Sequence, residues 1–441
     1  MEIKDNVIAL DAETLEKLPG PSWLKENRLK ALAELSDSQA PSNEGGVWRY
    51  AKANLLDLSK YHLITDSISN RFGSFLDVLD EYSVPKELAA LITERDWVIT
   101  YIDGELATSD LGNESPMKSN VSVKFSSECE NLGYQLCEKY APRDAFLYLH
   151  EACLKDAVNI EVLPNQELAH EGIIYIFNLI GKENAVVSAH SGILVGSNSS
   201  ATVIEFFGSR KVDSLFLPIS EISLQSGAKL KYLRIQGLST ETNQVALQVS
   251  EIGNDAHLES VAVSTGGAIT RGRIDTFHEG SASSSFQGAI TVGRGSACHD
   301  LRTKQDHSGR LSESEMVSAV VLDDESESVT TGLVRMNHGA KKSSAKQTNR
   351  NLLLSDMAHA ESVPNLDIEE NDVRCDHASA VGPLSQEQLH YLESRGISEE
   401  AARVLLVKGF QKSTLDKVTS RAISKFATTW LEKNLAEESF N

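Results

Sequence analysis

A recurrence of small residues constrains this fold more than any other feature. Clusters ending in alanine precede successive apolar runs at Ser199-Ser200-Ala201, Ser226-Gly227-Ala228, Asn254-Asp255-Ala256 and Gly280-Ser281-Ala282, so the alanines recur at a nearly even interval. A near-constant period within the range of roughly 20–50 residues marks stacked repeats that share one core. The runs themselves (AVVSAHSGILVG, ATVIEFFG, KLKYLRIQG, HLESVAVSTGG, GAITVGRG) are short, rich in Val and Ile, and bounded by Gly, Ser and Asn. Such runs read as strands, and helical periodicity is missing from most of residues 120–370. Strand-rich repeats with small corners point to a β-helix. A β-sandwich with four coincident turns fits the same pattern, and the repeat alone leaves both open.

The flanks differ. Residues 13–35 carry Leu15, Leu18, Trp23, Leu24, Leu29 and Leu32 around a Pro-Gly-Pro break, which predicts two short amphipathic helices. A loop and Trp48-Arg49-Tyr50 follow, and Pro85 opens a short helix over 85–92. From Pro383 the pattern turns helical. Ser385 and Gln388 have capping-box spacing, Gly396 ends that helix, Ser398 caps the next, and Gly409 is expected to close it. A third helix is expected to carry Leu415, Val418, Ala422, Phe426 and Trp430 on one face. The expected division is therefore 1–120 helical and mixed, 121–382 β-helix core, and 383–441 helical.

Charge narrows the partners. The 441 residues include 63 acidic and 42 basic side chains, a formal net charge of −21. So negative a surface repels phosphate backbones and anionic lipids, and neither nucleic acid nor a membrane surface is an expected partner. The longest apolar stretch, around Ile173–Ile180, is far short of the roughly 20 residues a spanning helix needs. The opening MEIKDNVIAL has no basic n-region or cleavage site, and a cytoplasmic location is expected. The five cysteines (129, 137, 153, 298 and 375) form no C-x-x-C and read mostly as free thiols.

Several enzyme classes are disfavoured. There is no G-x-x-x-x-G-K-[ST], no H-E-x-x-H and no G-x-S-x-G, and Gly293-x-Gly295 runs into Cys298 without a third glycine. The chain has no ATP site of its own by this reading. The richest polar constellation is Arg374-Cys375-Asp376-His377. On a strand, residues two apart share a face, and a thiolate beside an imidazole suits iron or zinc. A buried cysteine next to a hydrogen-bonded histidine fits the same residues. His299, His307 and His338 have spacings that imply nothing definite. A local basic stripe, Arg403, Lys408, Lys412, Lys417, Arg421 and Lys425 against Asp416, stands out in so acidic a chain. It is either a solvated face or a surface that steers a docking partner, with Lys417, Arg421 and Lys425 sharing one helix face.

The stretch Gln347–Phe410 resembles the hallmark region of the SufB/SufD family of iron–sulfur cluster assembly proteins. The matching pieces are Asn349 to Asp356, Pro364-x-Leu366-x-Ile368, Asp372-Val373-x-Cys375-x-His377, Gln388-Leu389, Ser394-Arg395-Gly396-Ile397 and Gly409-Phe410. Upstream similarity reaches through Ala340 and Thr331-Gly332 to His307, and Gly20-Pro21-x-Trp23, Arg28 and Trp48-Arg49-Tyr50 are similar to the family's opening. The resemblance implies a mainly β chain, with a right-handed parallel β-helix core between an N-terminal mixed part and a C-terminal helical domain. It implies pairing with a SufB subunit through the β-helix, docking of the SufC ATPase on the helical domain, and a non-catalytic scaffold role. A transient cluster or iron shared with SufB would be the cargo. No residue pattern speaks to a flavin.

Within the family, the SufD branch fits better. SufB proteins carry a cysteine where this chain has Ala358, and many have an N-terminal cysteine cluster that is missing here. His377 falls on the family's interface histidine, a candidate iron or cluster ligand, and Cys375 on the cysteine beside it in many SufD members. The usual Gly-Ala-Thr after that histidine is Ala378-Ser379-Ala380 here, and His390 replaces a common aromatic residue. Two other readings compete: a SufB-like homodimeric scaffold, and a β-helix enzyme acting on polysaccharide. Scattered acidic residues and the missing export signal count against the second.

Overall fold

The short Val- and Ile-rich runs pair in parallel with runs one turn away, which settles the choice between solenoid and sandwich. In the computed structural model, residues 8, 10–38, 48, 56–67, 74–82, 84–131, 135–168 and 172–437 are described. Among them, the strands form two ten-stranded sheets, and from Ala157–Val162 onward alternate strands of the chain fall in opposite sheets. Along one sheet the register runs Ser200, Lys229, His257, Ser284, Glu313, Ser344 and Arg374, so successive turns are of nearly equal length. The chain is a parallel β-solenoid, and the pairing is antiparallel only at the start, at Trp97–Ile102 with Glu105–Leu111 and Val121–Phe125 with Ala157–Val162. Strands upstream of residue 121 already enter both sheets, Trp97–Ile102 and Glu105–Leu111 one of them and His62–Leu63, paired with Ala185–Val195, the other.

The corners explain the period. Ser199, Ala228, Ala256, Ser283, Ser312 and Ser343 occupy equivalent positions in successive turns, each almost fully buried. Only a small side chain fits where the backbone bends into the core. The residue before each one is left-handed: Asn198, Gly227, Asp255, Ala282, Leu311 and Lys342, with φ between 55° and 70°. Its N–H donates to a carbonyl of the next turn, as from Gly227 to Asn254 (2.8 Å) and from Leu311 to Lys341 (2.9 Å). The alanine spacing therefore tracks a real repeat through a blurred marker. Ala228 and Ala256 are true equivalents, whereas Ala201 lies inside its strand and Ala282 is the left-handed residue.

The lumen changes character along the axis. Its first turns are apolar, with Ile99, Ile160, Ile176, Ile193, Val203, Ile222, Leu230 and Leu258 meeting between the sheets. Later turns are polar: Gln305 donates to Gln287 (2.6 Å), and the rings of His278 and His307 stack 4.3 Å apart, each bonded to two serines.

Helices cover the outer faces. Helices Ala12–Glu16 and Ser22–Asp37 flank the Pro-Gly-Pro break as expected, and Arg28 ties the second to the solenoid. The short helix after Pro85 spans Lys86–Ala89. Trp48 packs against Phe146 at 5.0 Å, whereas Arg49 and Tyr50 lie outside the described residues. At the C-terminus, Ser385 and Ser398 accept bonds from the Gln388 and Ala401 N–H groups, and Gly396 ends the first helix at φ 84°.

Two expectations for these helices fail. Gly409 does not close its helix, which runs Glu399–Leu415, because buried Val407, Gln411, Thr414 and Leu415 continue the packed face beyond it. The expected third helix starts only at Arg421, which leaves Leu415 on the preceding helix and Val418 in the turn. The interruption has a local cause and a distant one. Ser420 caps the last helix locally, its hydroxyl accepting the Ile423 N–H (3.3 Å), and Glu259, on a solenoid strand, accepts the Thr419 N–H (2.8 Å) and the Ser420 N–H (3.1 Å) and so pins that cap to the stack.

Candidate functional site

The two strands that end the solenoid have no following turn to pair with. His359–Ile368 is the last strand of one sheet and Arg374–Pro383 of the other, and both are largely exposed. The helices Gln386–Ser394, Glu399–Leu415 and Arg421–Glu437 pack on the sides of the stack, against Val321 and Leu352 and against Phe206 and Leu233. They do not cap this end.

The backbone at this end can be followed group by group. His359 and Glu369 donate inward to Ser326 (3.1 Å) and Met336 (2.8 Å), so N–H and C=O groups of the residues between, at alternate positions from Ala360 to Ile368, face outward. Pro364 stands in the middle of that row and has no N–H, a common device at sheet edges. In the other sheet, Arg374 and Leu384 donate inward to Ser343 (3.0 Å) and Leu353 (3.3 Å). Cys375, His377, Ser379 and Val381 then present an unbroken outward row.

Cys375 and His377 lie where the sequence placed them, on one face of one strand. Their register partners are Ala345 and Gln347 in the turn beneath, so both side chains start from the lumen side of the last turn. Cys375 is half-buried and packs with Val334, Met336, Ala340, Ala345 and Val373. Burial, and then the Asp376 charge, push its thiol above the ordinary value. It is protonated at neutral pH and would have to lose that proton to ligate a metal. His377 is exposed, and its imidazole is the readier donor. Ala358, where a cysteine would mark the sister branch, is buried at the corner before the other terminal strand, against Val320 and Leu322.

Among the described residues, no three His, Cys, Asp or Glu side chains converge to hold a metal. Iron and zinc sites built from Cys and His commonly take four ligands. An edge that offers one imidazole, with a thiol beside it, can supply part of such a site and needs a second surface for the rest. His307 and His299 are unsuited: burial pulls each to a pKa of about 4 and seals it in the lumen.

The basic stripe is scattered and largely paired within the chain. Arg403 bonds Glu399 (3.0 Å), Lys408 approaches Glu432 (3.6 Å), Lys412 bonds Asp416 (2.9 Å), and Lys417 pairs with Glu315 of the solenoid. Arg403, Lys408 and Lys412 lie on the helix Glu399–Leu415, and of the three residues expected on one later face only Arg421 and Lys425 share a helix, because Lys417 precedes it. Sequence reasoning overlooked an apolar feature nearby. Tyr391 and Leu405 are exposed at 57% and 49%, and Tyr391, Leu392 and Leu406 line a groove with Gln388 and His390. Two exposed large apolar residues on neighbouring helices form no legible stripe.

Over residues 178–410 the chain matches the family described as "SUF system FeS cluster assembly, SufBD core domain". It is 25% identical to the iron–sulfur cluster assembly protein SufD of Bacillus subtilis, over 97% of this chain and 98% of that one. It is 23% identical to SufD of Escherichia coli, over 86% and 85% of the two chains, and 21% identical to a SufBD family protein of Synechocystis, over 95% and 92%. With a solenoid core that ends in the Cys375–His377 strand, the chain belongs to the SufB/SufD family of SUF iron–sulfur cluster assembly proteins.

Proposed function

We propose that this chain is a SufD-type, non-catalytic scaffold subunit that joins a SufB partner end to end through the open solenoid edge. The observation that carries this reading is the pair of uncovered terminal strands with His377 on one of them. Parallel edge strands with free backbone groups are a template for another sheet. A partner seated there would bring further ligands to His377, with Cys375 as a second donor once deprotonated. The cargo is iron or a nascent cluster shared across the junction, and energy comes from a SufC ATPase docked on the three C-terminal helices. For that dock, the groove lined by Tyr391, Leu392 and Leu406, with exposed Leu405 nearby, supplies burial, and Arg403, Lys408, Lys412, Lys417, Arg421 and Lys425 supply its charged rim. A reducing cytoplasm suits five cysteines that form no disulfide. No described helix is long and apolar enough to cross a membrane.

Co-expression of the tagged chain with SufB and SufC tests the reading. The expected result is a ternary complex carrying iron and labile sulfide, with His377→Ala retaining the partners and losing most of the iron. A stable homodimer that ignores SufB, or full iron loading of the alanine variant, would overturn it.

A further inference from the structure

We infer that Gln347 is a positioning residue for His377, orienting its imidazole toward metal; this rests on the proposal that His377 faces iron. The two residues are register partners on neighbouring strands, on the lumen face. Their backbones are therefore about 4.8 Å apart, within side-chain reach. Gln347 is only 2% exposed, and its carboxamide makes no hydrogen bond among the described residues: the Nε2 is enclosed without an acceptor, and the Oε1, the atom that could accept from an imidazole, is without a donor. A buried amide left unpaired costs about 1–3 kcal/mol; Gln244, Gln287 and Gln411 also leave an amide nitrogen unpaired, and what distinguishes Gln347 is its place directly beneath His377.

The surroundings keep that carboxamide free. The turn below offers Met316 at the same position, whose thioether is a poor partner. Across the lumen stands Gly332, where a Cβ would lie 1.8 Å from Gln347 Nε2, so the absence of a side chain there makes the room this amide occupies. Asn349, two positions on, donates to Ser362 (2.9 Å) and leaves its own Oδ1 unpartnered. Above them, no hydrogen bond holds His377 among the described residues. An imidazole with nothing to orient it thus sits over a carboxamide with nothing to bond.

Metal-ligating histidines donate their second ring N–H to an acceptor, which sets the tautomer and ring direction, and losing that acceptor typically costs 10- to 100-fold in metal affinity. Gln347 supplies the acceptor: one ring N–H of His377 donates to its Oε1 while the other ring nitrogen turns to the junction. The side chain is kept for the site at the expense of the solenoid's own stability.

The test uses the full chain reconstituted with its SufB partner, with Co²⁺ alone as spectroscopic probe. Absorption titrations and melting curves are compared for wild type, Gln347→Leu, Gln347→Glu and His377→Ala. Gln347→Leu is expected to weaken Co²⁺ binding 10-fold or more with melting unchanged or raised, and Gln347→Glu, which keeps an acceptor, to restore binding. Unchanged affinity in Gln347→Leu overturns the inference. So does a drop in melting temperature that Gln347→Glu shares together with the lost affinity, because that marks a structural residue. Wild-type binding by His377→Ala would sink the iron-facing reading itself, and does so in a separate arm.

Discussion

Two aromatic side chains hold the last helix to the solenoid, Phe426 against Tyr175 at 5.7 Å and Trp430 one turn further on, and truncating Trp430 should loosen that helix while leaving the stack intact. Trp430 is 8% exposed, meets Phe206 edge-on at 5.2 Å and donates from Nε1 to Thr265 Oγ1 at 3.0 Å. Its ring lies over Gly237, where a Cβ would stand 2.2 Å from Cζ2. Truncating a buried aromatic side chain costs about 3–5 kcal/mol. Trp430→Ala should therefore lower the local stability of Arg421–Glu437 by about 4 kcal/mol. Gly237→Ala pushes the ring outward from beneath, an overpacking cost of about 2 kcal/mol.

Solenoid turns unfold semi-independently, so a single melting curve is a poor measure of either change. Amide hydrogen exchange reads the helix directly. At about 1.4 kcal/mol per decade, protection of the helix amides should fall roughly 1,000-fold in Trp430→Ala and roughly 30-fold in Gly237→Ala. Strand Lys229–Gly237 should keep its protection, as it remains paired on both sides. If helix protection is untouched, or strand and helix lose protection together, the account of Trp430 as an anchor of this helix is wrong.

Two further outcomes follow from buried charge. Arg28 is fully buried and donates to the carbonyls of Leu154 (2.7 Å), Pro19 (2.6 Å) and Lys155 (3.0 Å), with burial lowering its pKa to about 10, still protonated at neutral pH. Arg28→Met should cost about 3–5 kcal/mol locally, seen as faster proteolysis within Ser22–Asp37, and Arg28→Lys should not rescue it, because one ammonium cannot span three carbonyls; equal stability of the lysine variant would contradict this. His307 is held near a pKa of about 4 by burial, below the 6.5 of an exposed imidazole, so the unfolded chain binds its proton first. Its contribution is complete above pH 6.5 and is lost as pH falls toward 4, so His307→Gln should flatten the pH dependence of unfolding in urea across that window.

Much of this architecture was legible because it is local. Ser385, Ser398 and Gly396 act as helix ends since a cap needs only its nearest neighbours along the chain. The repeat was legible because every turn must place a small residue at its corner, and the Cys375–His377 pairing followed from strand geometry alone. What misled was pattern without context. The Leu415–Trp430 stripe has regular helical spacing, yet a new helix starts at the Ser420 cap, which the carboxylate of Glu259, remote in sequence, holds to the solenoid. Gly409 has the identity of a terminator, and tertiary packing on both sides of it overrides that preference.

The amino-acid order by itself determined that this chain repeats strand-forming segments at a nearly constant interval, ends in helices, and carries a thiol and an imidazole on one strand. Only the tertiary structure decided that the strand lies at an uncovered end and that Gln347, one full turn earlier in the chain, stands beneath His377. Register between turns depends on the summed length of every corner, which varies slightly from turn to turn, and on backbone bonds that exist only after neighbouring turns have stacked.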